Sequence, residues 1–371
     1  QRQMCIRDRR QPCHSDPNFK CSKGENVENN RPQTSPVMER ENIMGTMEIN
    51  PLLVKLSVPM MISMLVQALY NVVDSVFVSW VSEEALTAVS LAFSLQNMMI
   101  AVGVGTGVGV NAMLSKSLGE KNQKRANATA ENGIFLSVCS FLVFLVIGLT
   151  CIKPYFYAQT SDDAIALQGI RYLSVCCIFS MGLFTQTMGE KLLAATGRTQ
   201  LSMISQLVGA VVNIILDPIL IFALNMGVRG AATATVISQA VGAVWVLRFL
   251  TGSRTRLRLS VKNMPLVGKV IGPCLGLGVS TFVMIATESI LSISFNSSLA
   301  RYGGDIAVGA MTILTSVMQF AMLPLQGLTQ GAQPILSYNF GAKNADRVKK
   351  TFFRLLTVSL CYSVALWAFV M

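Results

Sequence analysis

The fold class follows from one stretch of the sequence, Val211-Val-Asn-Ile-Ile-Leu-Asp-Pro-Ile-Leu-Ile-Phe222. It lies within an apolar run, residues 201–224, that is long enough to cross a bilayer, which takes roughly 20 helical residues. Asp217 sits in the middle of that run, one turn after Asn213 and directly before Pro218. A carboxylate at such depth costs about 3 kcal/mol on insertion scales, and such acids commonly line ion or proton paths. The alternative is a structural Asp that stabilises a proline kink.

Apolar residues dominate the rest of the chain as well. Hydrophobic residues make up 52% of it and charged residues only 13%, whereas soluble domains carry about a quarter charged residues. We therefore predict an all-α polytopic membrane protein. Nine runs have the length and composition of spans: 52–80, 86–112, 130–152, 166–189, 201–224, 230–250, 266–296, 304–335 and 351–371.

The net charge of +11 does not indicate a nucleic-acid partner, because most basic residues lie in short loops between predicted spans. Every second loop is basic, and the loops between them carry acids such as Glu83 and Asp162. This alternation is the positive-inside pattern, so it predicts basic loops and an N-terminus in the cytoplasm. The basic residues are Lys116, Lys121, Lys124, Arg125, Arg198, Arg254, Arg256, Arg258, Lys262, Lys343, Arg347, Lys349 and Lys350.

The sequence also repeats itself. The stretch from Gly105 to Asn122 ends in Gly-Glu-Lys-Asn, and the stretch from Gly327 to Asn344 ends in Gly-Ala-Lys-Asn. Eight identities share one offset, 222 residues, as between Gly119 and Gly341. Six predicted spans separate the copies, an even number, so the copies have the same orientation. This predicts a parallel repeat of two six-helix lobes that rock about a central site.

That repeat sets the expected domain organisation. Residues 1–43 form a polar, disordered tail that is expected to be partly non-native, since Met38 or Met44 would be a natural start. Residues 44–252 form the first lobe, 253–265 a basic cytoplasmic linker, and 266–371 part of the second lobe. Twelve spans are expected and about nine are present, so we interpret the chain as lacking its C-terminal spans.

Polar residues converge in the outer half of the predicted first lobe. Asp74 lies about 9 Å below the outer end of span one, and Asp217 about 12 Å below that of span five. Thr235 lies about five residues into span six. Gln67, Tyr70, Asn71 and Asp74 share one face of span one, and the first three are expected to line the substrate cavity. Hydroxyl, amide and carboxylate oxygens of this kind suit Na⁺ or can hold protons.

Each of these residues also has a structural interpretation. Asp74 could extend outward to the surface, and the amides could join neighbouring helices. Thr235 could bond to its own helix. The glycines between Gly103 and Gly109 are attributed to close helix packing. In the second lobe, Glu288 lies at a similar depth to the first-lobe acids.

Other chemistry finds little support in the sequence. The single histidine, His14, lies in the tail, and no cysteines have metal-ligand spacing. We therefore predict no enzyme activity, no cofactor and no metal beyond a coupling Na⁺ at Asp74 and Asp217. Few Lys or Arg residues lie within the spans, so the cavity is expected to be neutral to negative and to favour a cationic passenger.

Several motifs resemble the multidrug and toxic compound extrusion (MATE) transporters over about residues 44–371. They are Gln67-Ala-Leu-Tyr-Asn-Val-Val-Asp74, the Gly-Glu-Lys-Asn loop, Asn213-Ile-Ile-Leu-Asp-Pro218 and Gly230-Ala-Ala-Thr-Ala-Thr235. The resemblance implies two six-helix lobes and a first-lobe cation site at Asp74, Asn213, Asp217 and Thr235. It implies a second-lobe site at Glu288 only in one branch of the family, and the partner acid of that site lies beyond the spans present.

The resemblance further implies a bacterial cell-membrane protein, expected to act as a monomer, that exports cationic amphipathic compounds in exchange for Na⁺ or H⁺. The choice of ion stays open. One alternative is a flippase for lipid-linked oligosaccharides from the same superfamily, although its anionic cargo would call for Lys or Arg inside the cavity. A membrane enzyme is the second alternative, and it would need clustered His, Cys or carboxylates at a membrane surface.

Overall fold

Long apolar helices account for nearly all of the structure. The computed structural model describes residues 43–160, 162–252, 257 and 268–370. The predicted tail lies outside these ranges except for Ile43, and the basic linker 253–265 lies outside them except for Leu257. The helices are α1 (Ile43–Thr46), α2 (Ile49–Ser79), α3 (Glu83–Gly119), α4 (Gln123–Thr150), α5 (Ile152–Gln159), α6 (Asp163–Ile178), α7 (Met181–Ala195), α8 (Thr199–Pro218), α9 (Val228–Leu250), α10 (Gly268–Gly341) and α11 (Ala345–Val370).

Within the described ranges, seven helical segments are long and apolar enough to cross a membrane. The pair α6 and α7, bent by 49° at a short break, passes the same test together and makes eight if it is one span. The sequence predicted this pair as one span, 166–189, but α7 continues to Ala195. The remaining predicted span, 304–335, is not among these segments. The prediction of an all-helical polytopic membrane protein is confirmed.

α10 contains both predicted spans seven and eight. A straight helix of its 74 residues would be about 110 Å long. However, the backbone carbonyl of Cys274 lies against Gly109, and Gln333 Nε2 donates to the Val108 carbonyl at 3.3 Å. Since Val108 and Gly109 are neighbours, the chain must fold back between residues 274 and 333. We call residues 268–288 the first leg of α10 and residues 317–341 the second leg.

The two copies of the repeated loop have the same conformation. Lys121 has φ 55° and Lys343 has φ 57°, a left-handed backbone in both. The Asn122 side chain accepts from the Arg125 amide at 3.0 Å. The Asn344 side chain accepts from the Arg347 amide at 3.2 Å. Both are N-caps that satisfy a free amide at a helix start, so the sequence repeat is a structural repeat.

The copies also meet each other reciprocally. A side chain at Gly119 would overlap the carbonyl of Tyr338, and a side chain at Gly341 would overlap the carbonyl of Lys116. Both the glycines and their partners are separated by 222 residues, so the two crossings are related by an approximate two-fold axis. The Lys116 ammonium lies 5.5 Å from the centre of the Phe340 ring at the same crossing.

Glycine makes these close approaches possible elsewhere too. Gly109 of α3 contacts the backbone of Cys274 in the first leg, and Gly331 of the second leg contacts the backbone of Ser57 in α2. In membranes, helix association depends on such van der Waals packing of small residues. The interpretation of the glycine row as a packing feature is confirmed.

Candidate functional site

α2 and α8 pack side by side and bring the two predicted acids together. Asp217 is fully buried and Asp74 is half-buried. One or two turns beyond the acids, Phe77, Trp80 and Phe222 form a cluster with ring centres 5.5 to 6.5 Å apart. The cluster joins the ends of α2 and the span of α8, so the predicted similar depth of the two acids agrees with the structure.

Asn213 belongs to the same group. Its Nδ2 donates to Asp217 Oδ1 at 3.3 Å, as expected for residues one turn apart. Seven buried side-chain oxygens of the described residues have no hydrogen-bond partner, and three of them are Asp74 Oδ1, Asn213 Oδ1 and Asp217 Oδ2. Buried polar atoms are normally hydrogen-bonded, and unpaired ones are costly. Three acceptors in one place indicate a site for a cation or a proton.

The backbone around Asp217 is irregular. α8 ends at Pro218, and Ile219–Ala223 continue as a π-helical turn, a feature often found at functional sites. Gly230, at the start of α9, lies so close to this turn that a Cβ there would be 2.7 Å from the Leu220 carbonyl carbon. Ala231, Ala232 and Ala234 are fully buried. The small residues of the Gly-Ala-Ala-Thr-Ala-Thr motif therefore let α9 pack against the unwound end of the Asp217 span.

Thr235 lies on α9, which packs against α8. Its hydroxyl donates to the Ala231 carbonyl of its own helix at 3.0 Å, which is the structural alternative considered above. The same residue also lines a cavity of about 40 Å³ together with Gln96, Met99, Ile100, Cys176, Leu183, Val236 and Gln239. A cavity of this size is large enough to hold water.

The predicted face of α2 is only partly engaged. Gln67 and Tyr70 are half-buried and Asn71 is exposed. The cavity-lining roles of Gln67, Tyr70 and Asn71 therefore stay predictions. Glu288 lies exposed on the first leg of α10, and its role also stays a prediction.

One charged pair was missed by the sequence analysis. Glu190 and Lys191 on α7 are both buried, with 7% of each residue exposed. Glu190 accepts from Gln186 Nε2 at 3.0 Å and from Gln206 Nε2 at 2.9 Å. The pair was missed because the predicted span ended at residue 189. The signal was present as an acid and a base directly after an apolar run, with a Gln one turn before Glu190.

The chain was then compared with known proteins. The family model described as MatE matches residues 59–219 and 281–371. The chain is 27% identical over 314 residues to the multidrug export protein MepA of Staphylococcus haemolyticus (strain JCSC1435), an alignment that covers 82% of the chain and 67% of that relative. It is 26% identical over 303 residues to MepA of Staphylococcus aureus (strain MRSA252), covering 79% and 65%. The chain thus spans about two thirds of the length of these curated relatives.

Solved structures show the same fold. A MOP superfamily transporter from Pyrococcus furiosus Vc1, described as having a binding pocket of reverse polarity, superposes with a TM-score of 0.85 at 24% identity. A multidrug resistance MATE family transporter in an outward-facing conformation gives the same TM-score and identity. Each match covers 89% of this chain and 74% of the other. Because the family model matches well over half of the sequence and the fold agrees, the chain belongs to the MatE family.

Proposed function

We propose that this protein is a secondary active transporter that exports cationic amphipathic compounds in exchange for Na⁺ or H⁺. The observation that carries the proposal is the group of unpaired buried oxygens on Asp74, Asn213 and Asp217. Relatives named as multidrug export proteins support the class of substrate. We further propose that it acts as a monomer in the bacterial cell membrane, with the basic loops in the cytoplasm.

In this mechanism, the acid pair binds either the coupling ion or the cationic group of the substrate. Two carboxylates on neighbouring helices repel each other when both are charged, so the binding of a cation or proton is favoured. Since drug and ion compete for the same negative charge, each lowers the affinity for the other by the same factor. When one cation enters for each monovalent cationic compound that leaves, no net charge moves, so the concentration gradient of the ion drives export. Each additional cation that enters adds about 2.3 kcal/mol per 100 mV of membrane potential.

The unpaired donor set fits Na⁺ or H⁺ chemically. Na⁺ would be held by the carboxylate oxygens of Asp74 and Asp217 and the amide oxygen of Asn213, and a proton by either carboxylate. The flippase alternative has less support, because the unpaired buried side-chain atoms of the described residues are all oxygens and include two carboxylates, which would repel an anionic cargo. The enzyme alternative gains no support from the family to which the chain belongs or from the relatives named as export proteins.

The test is ethidium efflux from cells that lack their own drug pumps, measured for the full-length protein and for Asp217→Asn, with and without Na⁺. We expect the variant to lose efflux, because its neutral amide cannot bind a cation electrostatically. If ethidium efflux by the unsubstituted protein requires Na⁺, the coupling ion is Na⁺. Asp163→Asn is the matched control, since Asp163 is an exposed acid at the start of α6. Unimpaired efflux by Asp217→Asn would overturn the site, and absence of efflux from the unsubstituted protein would overturn the function.

A further inference from the structure

Lys191 is a buried cation around which a neighbouring helix is shaped. Only 7% of the residue is exposed. A Cβ on Gly107 of α3 would be 2.8 Å from Lys191 Cγ, so the lysine stem occupies the space that a side chain at Gly107 would need. Asn111 Nδ2 of the same helix donates to the Lys191 carbonyl at 2.9 Å. The position and course of this side chain are therefore fixed from α3.

Lys191 connects the two repeated halves of the chain, the first copy (residues 44–252) and the second copy (residues 266–371). Its Nζ donates to Gln330 Oε1 in the second leg of α10 at 2.6 Å. Hydrogen bonds from charged donors are stronger than neutral ones. The residue that corresponds to Gln330 in the first copy, 222 positions earlier, is Val108. Gln330 is thus not required by the packing that the two copies share.

The surroundings of the Lys191–Gln330 pair differ between the two copies. On the first-copy side, Lys191 adjoins Glu190, which is held by Gln186 and Gln206. On the second-copy side, it has the neutral Gln330, whose Nε2 lies 3.8 Å from Met64 Sδ. If the copies separate, the buried Lys191 ammonium loses the Gln330 acceptor. A buried charge that loses its partner is costly, so this bond stabilises the arrangement in which the copies are in contact.

This contact lies next to the crossing of Gly331 with Ser57, in the half of the bundle that ends at the crossing of Gly119 and Gly341. The copies are thus closed at the end with the basic loops. Alternating access requires that this end opens once in each transport cycle.

We propose that Lys191 and Gln330 form a latch that stabilises the conformation closed at the basic-loop end, so that the strength of this bond sets how often that end opens. The proposal rests on the transport function proposed above. Lys191 acts here as a positioning residue, because it binds neither the ion nor the substrate.

The test is hydrogen–deuterium exchange of the full-length purified protein in lipid nanodiscs. Lys191→Met keeps the apolar stem and removes the donor, so we expect amide exchange in residues 327–341 and 57–64 to rise on the order of tenfold. Gln330→Glu converts the contact to an ion pair, so we expect exchange in the same segments to fall by a similar factor and ethidium efflux to slow. The matched control is Gln326→Glu, an exposed position one turn away, which should change neither.

Opposite effects of the two variants, confined to these segments, would support the latch. A merely structural role predicts that both variants raise exchange, with the increase extending into α4. That result, or no change with either variant, would overturn the proposal. The exchange measurement does not depend on drug transport. A failure of efflux in the unsubstituted protein would therefore count against the proposed function and would be seen separately.

Discussion

At the scale of single residues, the site is defined by polar atoms that the fold leaves without partners. A buried carboxylate is costly in a membrane protein, and most buried polar atoms are paired. Asp217 is fully buried, yet its only hydrogen bond to a described residue comes from Asn213, and one of its oxygens has none. Such an arrangement stores energy that an arriving cation or proton releases. This explains why the acids lie below an aromatic cluster and away from the surface.

Thr235 provides a prediction at the same scale. Its hydroxyl hydrogen is used within α9, so only its oxygen lone pairs are available to the cavity it lines. We expect Thr235→Val, which keeps the shape of the side chain, to weaken the apparent affinity for the coupling ion about three- to tenfold. The measurement is ethidium efflux as a function of Na⁺ concentration and of pH.

The control is Thr233→Val. Thr233 bonds to the Arg229 carbonyl at 2.7 Å in the same way, but it is not among the residues that line the cavity. A simple effect of losing the bond within the helix would reduce both variants equally. Equal losses would therefore remove Thr235 from the site.

At the scale of helices, the stability of the bundle depends on where backbones touch. A methyl group on Gly109 would overlap the Cys274 carbonyl, so α3 and the first leg must move apart. Forced overpacking costs about 1–3 kcal/mol. We expect Gly109→Ala to lower the Tm of the purified protein by at least about 2 °C. Gly276→Ala is the control, since a Cβ there meets nothing within 4 Å; a fall in Tm of the same size there would contradict the argument.

The helices also show what the sequence could predict. Apolar runs and the 222-residue offset predicted the spans and the repeat, because both depend on local composition. The bend between α6 and α7 and the π-helical turn after Pro218 carry weaker local signals. The contact between Lys191 and Gln330 joins residues 139 positions apart. The bond from Arg347 to the Met44 carbonyl joins residues 303 positions apart. Such partners depend on how helices assemble, so no local pattern predicted them.

At the scale of the whole molecule, the two copies are alike in fold and different in chemistry. Their loops and glycine crossings match pair by pair, which gives two similar bodies that can rock against each other. Among the described residues, the two acids that have a buried oxygen without a hydrogen bond, Asp74 and Asp217, lie in the first copy, and the glutamine of the latch lies in the second. A symmetric scaffold with an asymmetric site is suited to a transporter, since motion needs matched bodies and coupling needs one place where the ion acts.

Orientation in the membrane is the last prediction, and the alternation of basic and acidic loops carries it. Fusions of green fluorescent protein or alkaline phosphatase after Asn122, Asp162 and Asn344 test it in bacterial cells. We expect fluorescence but no phosphatase activity after Asn122 and Asn344, and the reverse after Asp162. The two Asn positions share a side because six spans separate them, with α6 and α7 counted as one span and the two legs of α10 as two. If α10 crossed the membrane only once, five spans would separate them, and Asn344 would report the side opposite to Asn122. Phosphatase activity after Asn122 would instead reverse the whole topology and place the proposed latch at the outer surface.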